Sequence, residues 1–356
     1  GCAGQSNRTR TVQKPARTER LSVKSKMTLR VSYEEGSADE WIEGRDDVLA
    51  VFEFGRSPLE SEDPRHVPVA LRQLDSPGRV EVWRSRGPIK TGSWDRLRFA
   101  QGELLTMGHI ALDLRHTGDM RECSRLAYDI LQSYLQQSPH PWPLKIWNYI
   151  PGINEGKGDE ELYRQFCLGR AEAVSIDPGG SPPLPAATGI GTPLEEPALQ
   201  VYFLASALPG LDVENPRQVS AWRYPRRYGP KSPLFSRATI MRMNGSSQFL
   251  ISGTASIIGH QTHHENQVSN QLSESLRNVQ SLLEEGHRLM GDSHAQLDGD
   301  GVLKVYIRNP DDFETIRETL EAKAPQEIPR IYLQGDICRS NLLTEIDGII
   351  NCQRTL

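Results

Sequence analysis

Hydrophobic residues recur along the chain at two spacings, and the switches between them predict the order of elements. Strand-like runs occupy residues 28–33, 48–54, 79–83, 97–100 and 104–113, either alternating with polar residues or forming a compact apolar block. Helical spacing takes over at 119–135, where Cys123, Leu126, Ala127, Ile130, Leu131 and Leu135 share a face. An aromatic-rich strand at 144–150 follows, then a helix within 158–173. Residues 176–196 are dense in Gly, Pro and small polar side chains and are expected to form a loop or a connection between halves.

After a strand at 199–205 the pattern restarts. Runs at 235–243 and 248–256 read as a hairpin turning at Asn244–Gly245. The longest amphipathic helix, 266–288, carries Val268, Leu272, Leu276, Val279, Leu282 and Leu283 on one face. A strand at 301–307 and a helix at 311–323 follow. The C-terminal half therefore reads β-β-α-β-α-β, an α+β arrangement, and the N-terminal half has a similar count without a residue-level repeat.

Residues 331–348, IYLQGDICRSNLLTEIDG, close the series. Two short apolar runs flank a polar break at Arg339, Ser340 and Asn341, which suits strands at a break or bulge. Glu345 falls inside the second run, between Thr344 and Ile346. Partial loss of water raises a carboxyl pKa, and a carboxyl that keeps its proton near neutral pH is what a general acid requires. An outward-facing Glu on a half-exposed strand satisfies the same pattern.

Composition narrows the classes. A chain of 356 residues holds one large domain or two ordinary ones. With 37% hydrophobic residues, 24% charged and a net charge of −5, it reads as a soluble globular protein without nucleic acid as a principal partner. No apolar run approaches the roughly 20 residues of a membrane span, so no membrane association is expected. Cys2, Cys123, Cys167, Cys338 and Cys352 are odd in number and form no CxxC pair; they read as free thiols of a cytoplasmic protein. Residues 1–26 are expected to be a disordered basic arm. The fold is expected to begin near Met27, with an N-terminal half at 27–198 and a C-terminal half at 199–356.

Candidate chemistry gathers in few places. Arg223, Tyr224, Arg226, Arg227 and Tyr228 crowd into RYPRRYG, where Pro225 and Gly229 fix the loop. Guanidinium forks and phenols suit carboxylate binding, although a solvated basic loop has the same composition. Gly253 and Thr254 lie in SGTAS at the end of an apolar strand, where small residues admit a ligand close to the backbone. His260, His263, His264 and Glu265 match neither an HExxH helix nor a Cys/His finger, so no metal is expected. Phosphate-binding loops, dinucleotide fingerprints and a GxSxG elbow are missing, which argues against a nucleotide cofactor or serine-hydrolase chemistry. Cys338, beside Arg339, suits a pocket wall better than a nucleophile.

Four separated stretches resemble the chorismatase family in the same order: WNYIPGIN with YRQFCLGRAEA, NPRQVSAWRYPRRYGPKSPLFSRA, SGTASIIGH, and YLQGDICRSNLLTEIDG. The resemblance runs from about Trp147 to the end and is loose in the N-terminal third. The C-terminal half also resembles the RidA/YjgF fold, a β-sheet backed by two helices, which implies two such halves packed together with a pocket in the C-terminal half near their junction.

The resemblance implies chorismate as the substrate, release of its enolpyruvyl group as pyruvate, no cofactor, and Glu345 as the catalytic acid. Two substrate carboxylates call for several donors, and Arg164, Tyr202, Arg223, Tyr224, Arg226, Arg227, Tyr228 and Arg237 are the candidates. Gly253 and Cys338 are similar to the 3-hydroxybenzoate-forming type, in which the substrate's own hydroxyl attacks and an epoxide-like intermediate follows. The alternatives are a hydrolase giving a dihydroxycyclohexadiene carboxylate, a synthase of 3- and 4-hydroxybenzoate together, and a RidA-like binding or imine-hydrolysing protein. The family expectation for assembly is a monomer or a homotrimer.

Overall fold

Three sheets organise the chain, and each repeats one strand order. The computed structural model describes residues 29–59, 62–174, 184–291, 293–298 and 300–354, so the expected basic arm and Met27 lie outside the described residues. The first unit contains β1 (Leu29–Glu35), α1 (Ala38–Ile42), β2 (Val48–Phe54), β3 (His66–Val69) and β4 (Arg79–Ser85). The second contains β5 (Lys90–Trp94), β6 (Leu97–Gln101), β7 (Leu105–Asp113), α2 (Met120–Gln137), β8 (Trp142–Pro151), α3 (Leu162–Ala173), β9 (Ala186–Thr192) and β10 (Ala198–Ser206). The third contains β11 (Leu211–Val213), β12 (Ala238–Met243), β13 (Ser246–Ala255), α4 (Val268–Met290), β14 (Gly301–Ile307), α5 (Phe313–Lys323), β15 (Arg330–Gln334) and β16 (Thr344–Asn351).

The second sheet runs β9-β8-β10-β7-β6-β5 and the third β15-β14-β16-β13-β12-β11, the same permutation of strands. The first runs β3-β2-β4-β1, which is that order without its two outer strands. The parallel pair falls at the same place in all three: β2 with β3, β8 with β9, β14 with β15. The α+β class and the sheet-with-two-helices plan of each half are as expected. The number of units is not, because β1–β4 form a reduced third copy.

Two boundaries need correction. Residues 176–196 are not all connection, since β9 lies inside them, and its sequence AATGIGT carries too few large side chains to register as a strand. The expected division at 198/199 cuts β10 away from its own sheet, where it pairs with both β7 and β8. The C-terminal pattern also gains a strand at its start, β11, while 331–348 holds parts of both β15 and β16, in keeping with the two apolar runs read there.

Alternation along the strands explains the layering. In β10, Val201 and Phe203 pack beneath α2 and α3 with Cys123, Leu131 and Phe166. Tyr202 and Leu204 point the other way, into a central core with Phe52, Trp147, Leu250 and Tyr306 from all three units. Phe249 and Ile251 of β13 do for α4 what Val201 does for α2, meeting Leu272, Val279 and Leu283. Each sheet thus turns one face to a shared core; helices cover the outer faces of the second and third. Among the described residues no helix is long and apolar enough to cross a membrane.

The units join head to tail. Asp336–Ile337 of the third unit pair with β9 of the second. Gln73 of the first unit bridges to Leu333 of β15 in the third. Gln200 of the second donates through Nε2 to the Pro68 carbonyl of β3 in the first, at 2.7 Å. The positions equivalent by strand register tell the same story: Glu81, Tyr202 and Asp347 pair with Phe52, Trp147 and Lys304 within their own sheets. Across the three seams the contacts rotate, giving Glu81 with Lys304 at 3.0 Å, Tyr202 against Phe52 at 4.8 Å between centroids, and Asp347 with Trp147 Nε1 at 2.9 Å.

Candidate active site

Two residues before each of those seam positions stand Arg79, Gln200 and Glu345. Only the third unit offers a carboxyl there, and it faces a cavity of about 600 Å³ between the second and third units. That volume suits a small organic ligand. The expected pocket is therefore shared between units and does not belong to the C-terminal half alone: α3, β8 and β9 supply one wall, and β13, β16 and the 218–237 segment the other.

A β-bulge seats the carboxyl. Ile251 pairs with Gly348 and Thr254 with Ile346, so Ser252 and Gly253 together oppose Asp347. The bulge brings Gly253 beneath the Glu345 side chain: a β-carbon at 253 would overlap Glu345 Oε1 and come within 3.2 Å of Thr188 Cγ2. The small residues of SGTAS therefore make room for a protein carboxyl first. Glu345 is buried. Burial pushes its pKa up to about 8, the Asp347 charge adds to that, and Lys145 and Arg237 act in the opposite direction.

Beneath Glu345 lies a buried polar network. Asp347 Oδ2 accepts from Thr188 Oγ1 at 2.8 Å and Trp147 Nε1 at 2.9 Å, and Lys145 Nζ stands 3.3 Å away. Burial alone would raise the Asp347 pKa, but Lys145, Lys304 and the Thr188 hydroxyl outweigh it and hold the group ionised. Lys145 is fully buried, which brings its pKa down to about 8 against the pull of Asp347.

Guanidinium groups dominate the upper walls. Arg237 donates through Nη2 to the Val219 carbonyl at 2.7 Å and Tyr224 OH at 2.8 Å, and its buried Nε has no partner. Arg339 lies 4.0 Å over the Tyr228 ring and donates to the His260 carbonyl at 2.9 Å, leaving its buried Nη2 unpartnered. Arg170 is 5% exposed, stacks 4.7 Å over Tyr128 and also has a buried, unpartnered Nε. Buried guanidinium groups with free donors call for an anion.

Of the residues expected from sequence, Glu345, Arg164, Tyr224, Arg227, Tyr228, Arg237, Gly253 and Cys338 line this cavity. Four go elsewhere. Tyr202 is fully buried in the central core, donating to Tyr149 OH at 2.7 Å, because strand alternation turns it away from the site. Arg223 is exposed and stacks on Trp222 at 4.4 Å. Arg226 is exposed and pairs with Asp159 at 2.6 Å. Thr254 points its hydroxyl back to the Ser252 carbonyl at 2.8 Å. Cys338 lines the wall as a thiol, since burial pushes its pKa up to about 12.

Arg170, Arg339, Thr188, Asp347 and Lys145 were not among the expected site residues. A signal existed for Arg170: Tyr163, Cys167 and Arg170 follow at i, i+4 and i+7, on one face of α3. A signal existed for Asp347 too, which stands at i+2 from Glu345 on one strand; Thr188, Lys145 and Arg339 depend on which segments become neighbours. Of the histidines, His260 accepts through Nδ1 from Arg227 Nη2 at 2.9 Å and lies 3.2 Å from Tyr228 OH, and His264 meets Glu274 at 3.4 Å. Among the described residues no group of three or more His, Cys, Asp or Glu is placed to hold a metal ion.

Comparison with known proteins gives consistent matches. Residues 81–205 match the family model of the N-terminal part of FkbO/Hyg5-like chorismatases. A 3-hydroxybenzoate synthase of Streptomyces hygroscopicus is 34% identical over 283 residues, covering 76% of this chain and 81% of that protein. A chorismatase of the same organism is 32% identical over 334 residues, covering 88% of this chain and 92% of that one. A chorismatase crystal structure superposes with a TM-score of 0.79 at 30% identity, covering 90% of this chain and 98% of the other.

Proposed function

The chain belongs to the chorismatase family, and on that premise we propose that it converts chorismate to pyruvate and 3-hydroxybenzoate with Glu345 as general acid. The observation that carries this reading is a buried carboxyl, whose burial raises its pKa, on the floor of a cavity walled by Arg170, Arg237 and Arg339. The first group delivers a proton near neutral pH, and the second receive a dianionic substrate.

Arg170, Arg237 and Arg339 are the donors best suited to the two carboxylates. All three side chains line the cavity, where a carboxylate replaces little water and gains charge-assisted bonds. Glu345 protonates the terminal methylene carbon of the enolpyruvyl group, which becomes the methyl of pyruvate. Positive charge develops on the ether-bearing carbon of that side chain. The adjacent ring hydroxyl then attacks the ring carbon that carries the ether, the ring C–O bond breaks, and pyruvate leaves with the ether oxygen. The hydroxyl proton restores Glu345. Opening of the epoxide-like product and loss of a ring proton give 3-hydroxybenzoate, so the atoms balance without water. Gly253 and Cys338 shape the floor where water would otherwise enter.

The test is to incubate the protein with chorismate, without metal or nucleotide, and separate the products by chromatography. Equimolar pyruvate and 3-hydroxybenzoate are expected. Pyruvate with the dihydroxycyclohexadiene carboxylate overturns the product assignment, and untouched chorismate overturns the reading altogether. We further infer that the protein acts as a monomer, because its three units already close a ring within one chain. Light scattering is expected to give a mass near 39.9 kDa; a mass near three times that value would count against it.

A further inference from the structure

Glu345 and Asp347 lie two residues apart on one strand, with both side chains on the face turned to the second unit. Two carboxyls so placed do not share one fate. Asp347 receives Thr188 Oγ1, Trp147 Nε1 and, at 3.4 Å, Tyr306 OH, with Lys145 alongside. No described hydrogen bond reaches the Glu345 carboxyl, which lies over Gly253.

We propose that Asp347 is a positioning residue for catalysis: its fixed negative charge beneath Glu345 holds the acid's proton in place, and its partners set the bulge that seats the acid. This rests on the reading of Glu345 as the general acid.

Two links tie Asp347 to the bulge. Thr188 Oγ1 donates to Asp347 and accepts from Gly253 N at 3.0 Å. Lys145 donates to the Ile251 carbonyl, immediately before the bulge, while facing Asp347. Moving Asp347 therefore moves the floor under Glu345. The equivalent seam positions lack this pairing: Glu81 sits two residues from Arg79, and Tyr202 two residues from Gln200.

The charges around Glu345 come from several elements. Asp347 lies on its own strand, Lys145 on β8, and Arg237 at the entry to β12. Tyr163 on α3 and Cys338 also face it, both held neutral by burial, and Lys304 on β14 faces Asp347. The two lysines compensate Asp347 and Glu81 and so keep this anion affordable in the core. Glu345 is left as the acid without a compensating partner in contact.

The test is Asp347→Asn, read first without substrate by titrating the Glu345 carboxyl with infrared difference spectroscopy against Glu345→Gln. The titration midpoint is expected to fall by about one pH unit or more, since a like charge has been removed. The alkaline limb of kcat should then move to lower pH by the same amount, with KM for chorismate within about threefold. If the single variant does not fold, Asp347→Asn in a Lys145→Gln background is read against Lys145→Gln alone, with the same fall of the midpoint expected, because the two charges act on Glu345 in opposite directions. A midpoint and limb at the wild-type pH in a folded variant overturn the proposal, because a purely structural Asp347 would alter stability alone. A shifted carboxyl midpoint in a protein that never turns over chorismate supports the electrostatic link and overturns the functional reading instead.

Discussion

Gly253 lies so close beneath Glu345 that a single methyl group at 253 would occupy the space of the Glu345 Oε1 atom. The glycine is the seat of the Glu345 carboxyl. This changes what its substitution should do. The family resemblance tied Gly253, with Cys338, to the type of product formed. The overlap predicts a direct effect on the acid: kcat should fall on the order of a hundredfold, as displacing a catalytic group by about 1 Å does. Wild-type kcat in this variant would show that Glu345 has another seat.

Cys338 is the cleaner probe of water entry. It lines the cavity as a neutral thiol, and Cys338→Val alters shape and polarity without touching Glu345 chemistry. Turnover should persist within about tenfold, because no thiolate is involved. The measurement is the ratio of dihydroxycyclohexadiene carboxylate to 3-hydroxybenzoate, expected to rise; an unchanged ratio removes Cys338 from product control.

Glu345→Gln should fold, bind chorismate and lose turnover by about a thousandfold or more, since an amide cannot protonate carbon. In the wild-type enzyme kcat should fall as pH rises through about 8, where Glu345 loses its proton. A pH-independent kcat between 7 and 9 would contradict an acid with that pKa, provided chemistry limits the rate.

The same carboxyl makes a prediction about stability. Its folded pKa lies above the unfolded value, so its contribution is fully present below about 4.5 and is lost as pH rises through about 8. Glu345→Gln lacks this loss. Denaturant midpoints should show the variant gaining on the wild type between pH 5 and pH 8, by up to a few kcal/mol. A constant difference over that range would mean the carboxyl ionises normally.

Arginine substitutions separate the cavity wall from the surface. Arg170→Met should raise KM for chorismate roughly 10- to 100-fold, from loss of a charge-assisted contact. Arg223→Ala and Arg226→Ala should leave KM within about threefold, since both side chains are exposed and turned from the cavity. Tyr202→Phe should cost about 1 kcal/mol of stability, through its bond to Tyr149, with little change in KM. A large KM effect at Tyr202 or Arg226 would redraw the site.

Local pattern alone determined much of this protein. Apolar periodicity located α2, α4 and most strands, because burying an amphipathic face leaves its period in the residues that make it. The run around Glu345 fitted a desolvated carboxyl and an outward-facing one equally, and the Asn244–Gly245 turn marked a hairpin, whose two residues take positive φ of 51° and 74°. Strand β9 escaped, since AATGIGT is buried by what surrounds it and carries little hydrophobic signal of its own.

Tertiary structure alone decided the rest. The triplicate strand order has no residue-level echo, because topology constrains hydrogen-bond partners and not side-chain identity. Tyr202 and Arg226 looked like ligand donors by type, yet strand alternation sends one into the core, and Asp159, distant in sequence, takes the other. Asp347 comes with Glu345 on one strand, but Thr188, Lys145 and Arg170 join that neighbourhood only because the second and third units meet along one seam. A carboxyl's proton affinity depends on charges and solvent within a few ångströms, and that neighbourhood is assembled by contacts far apart in the chain.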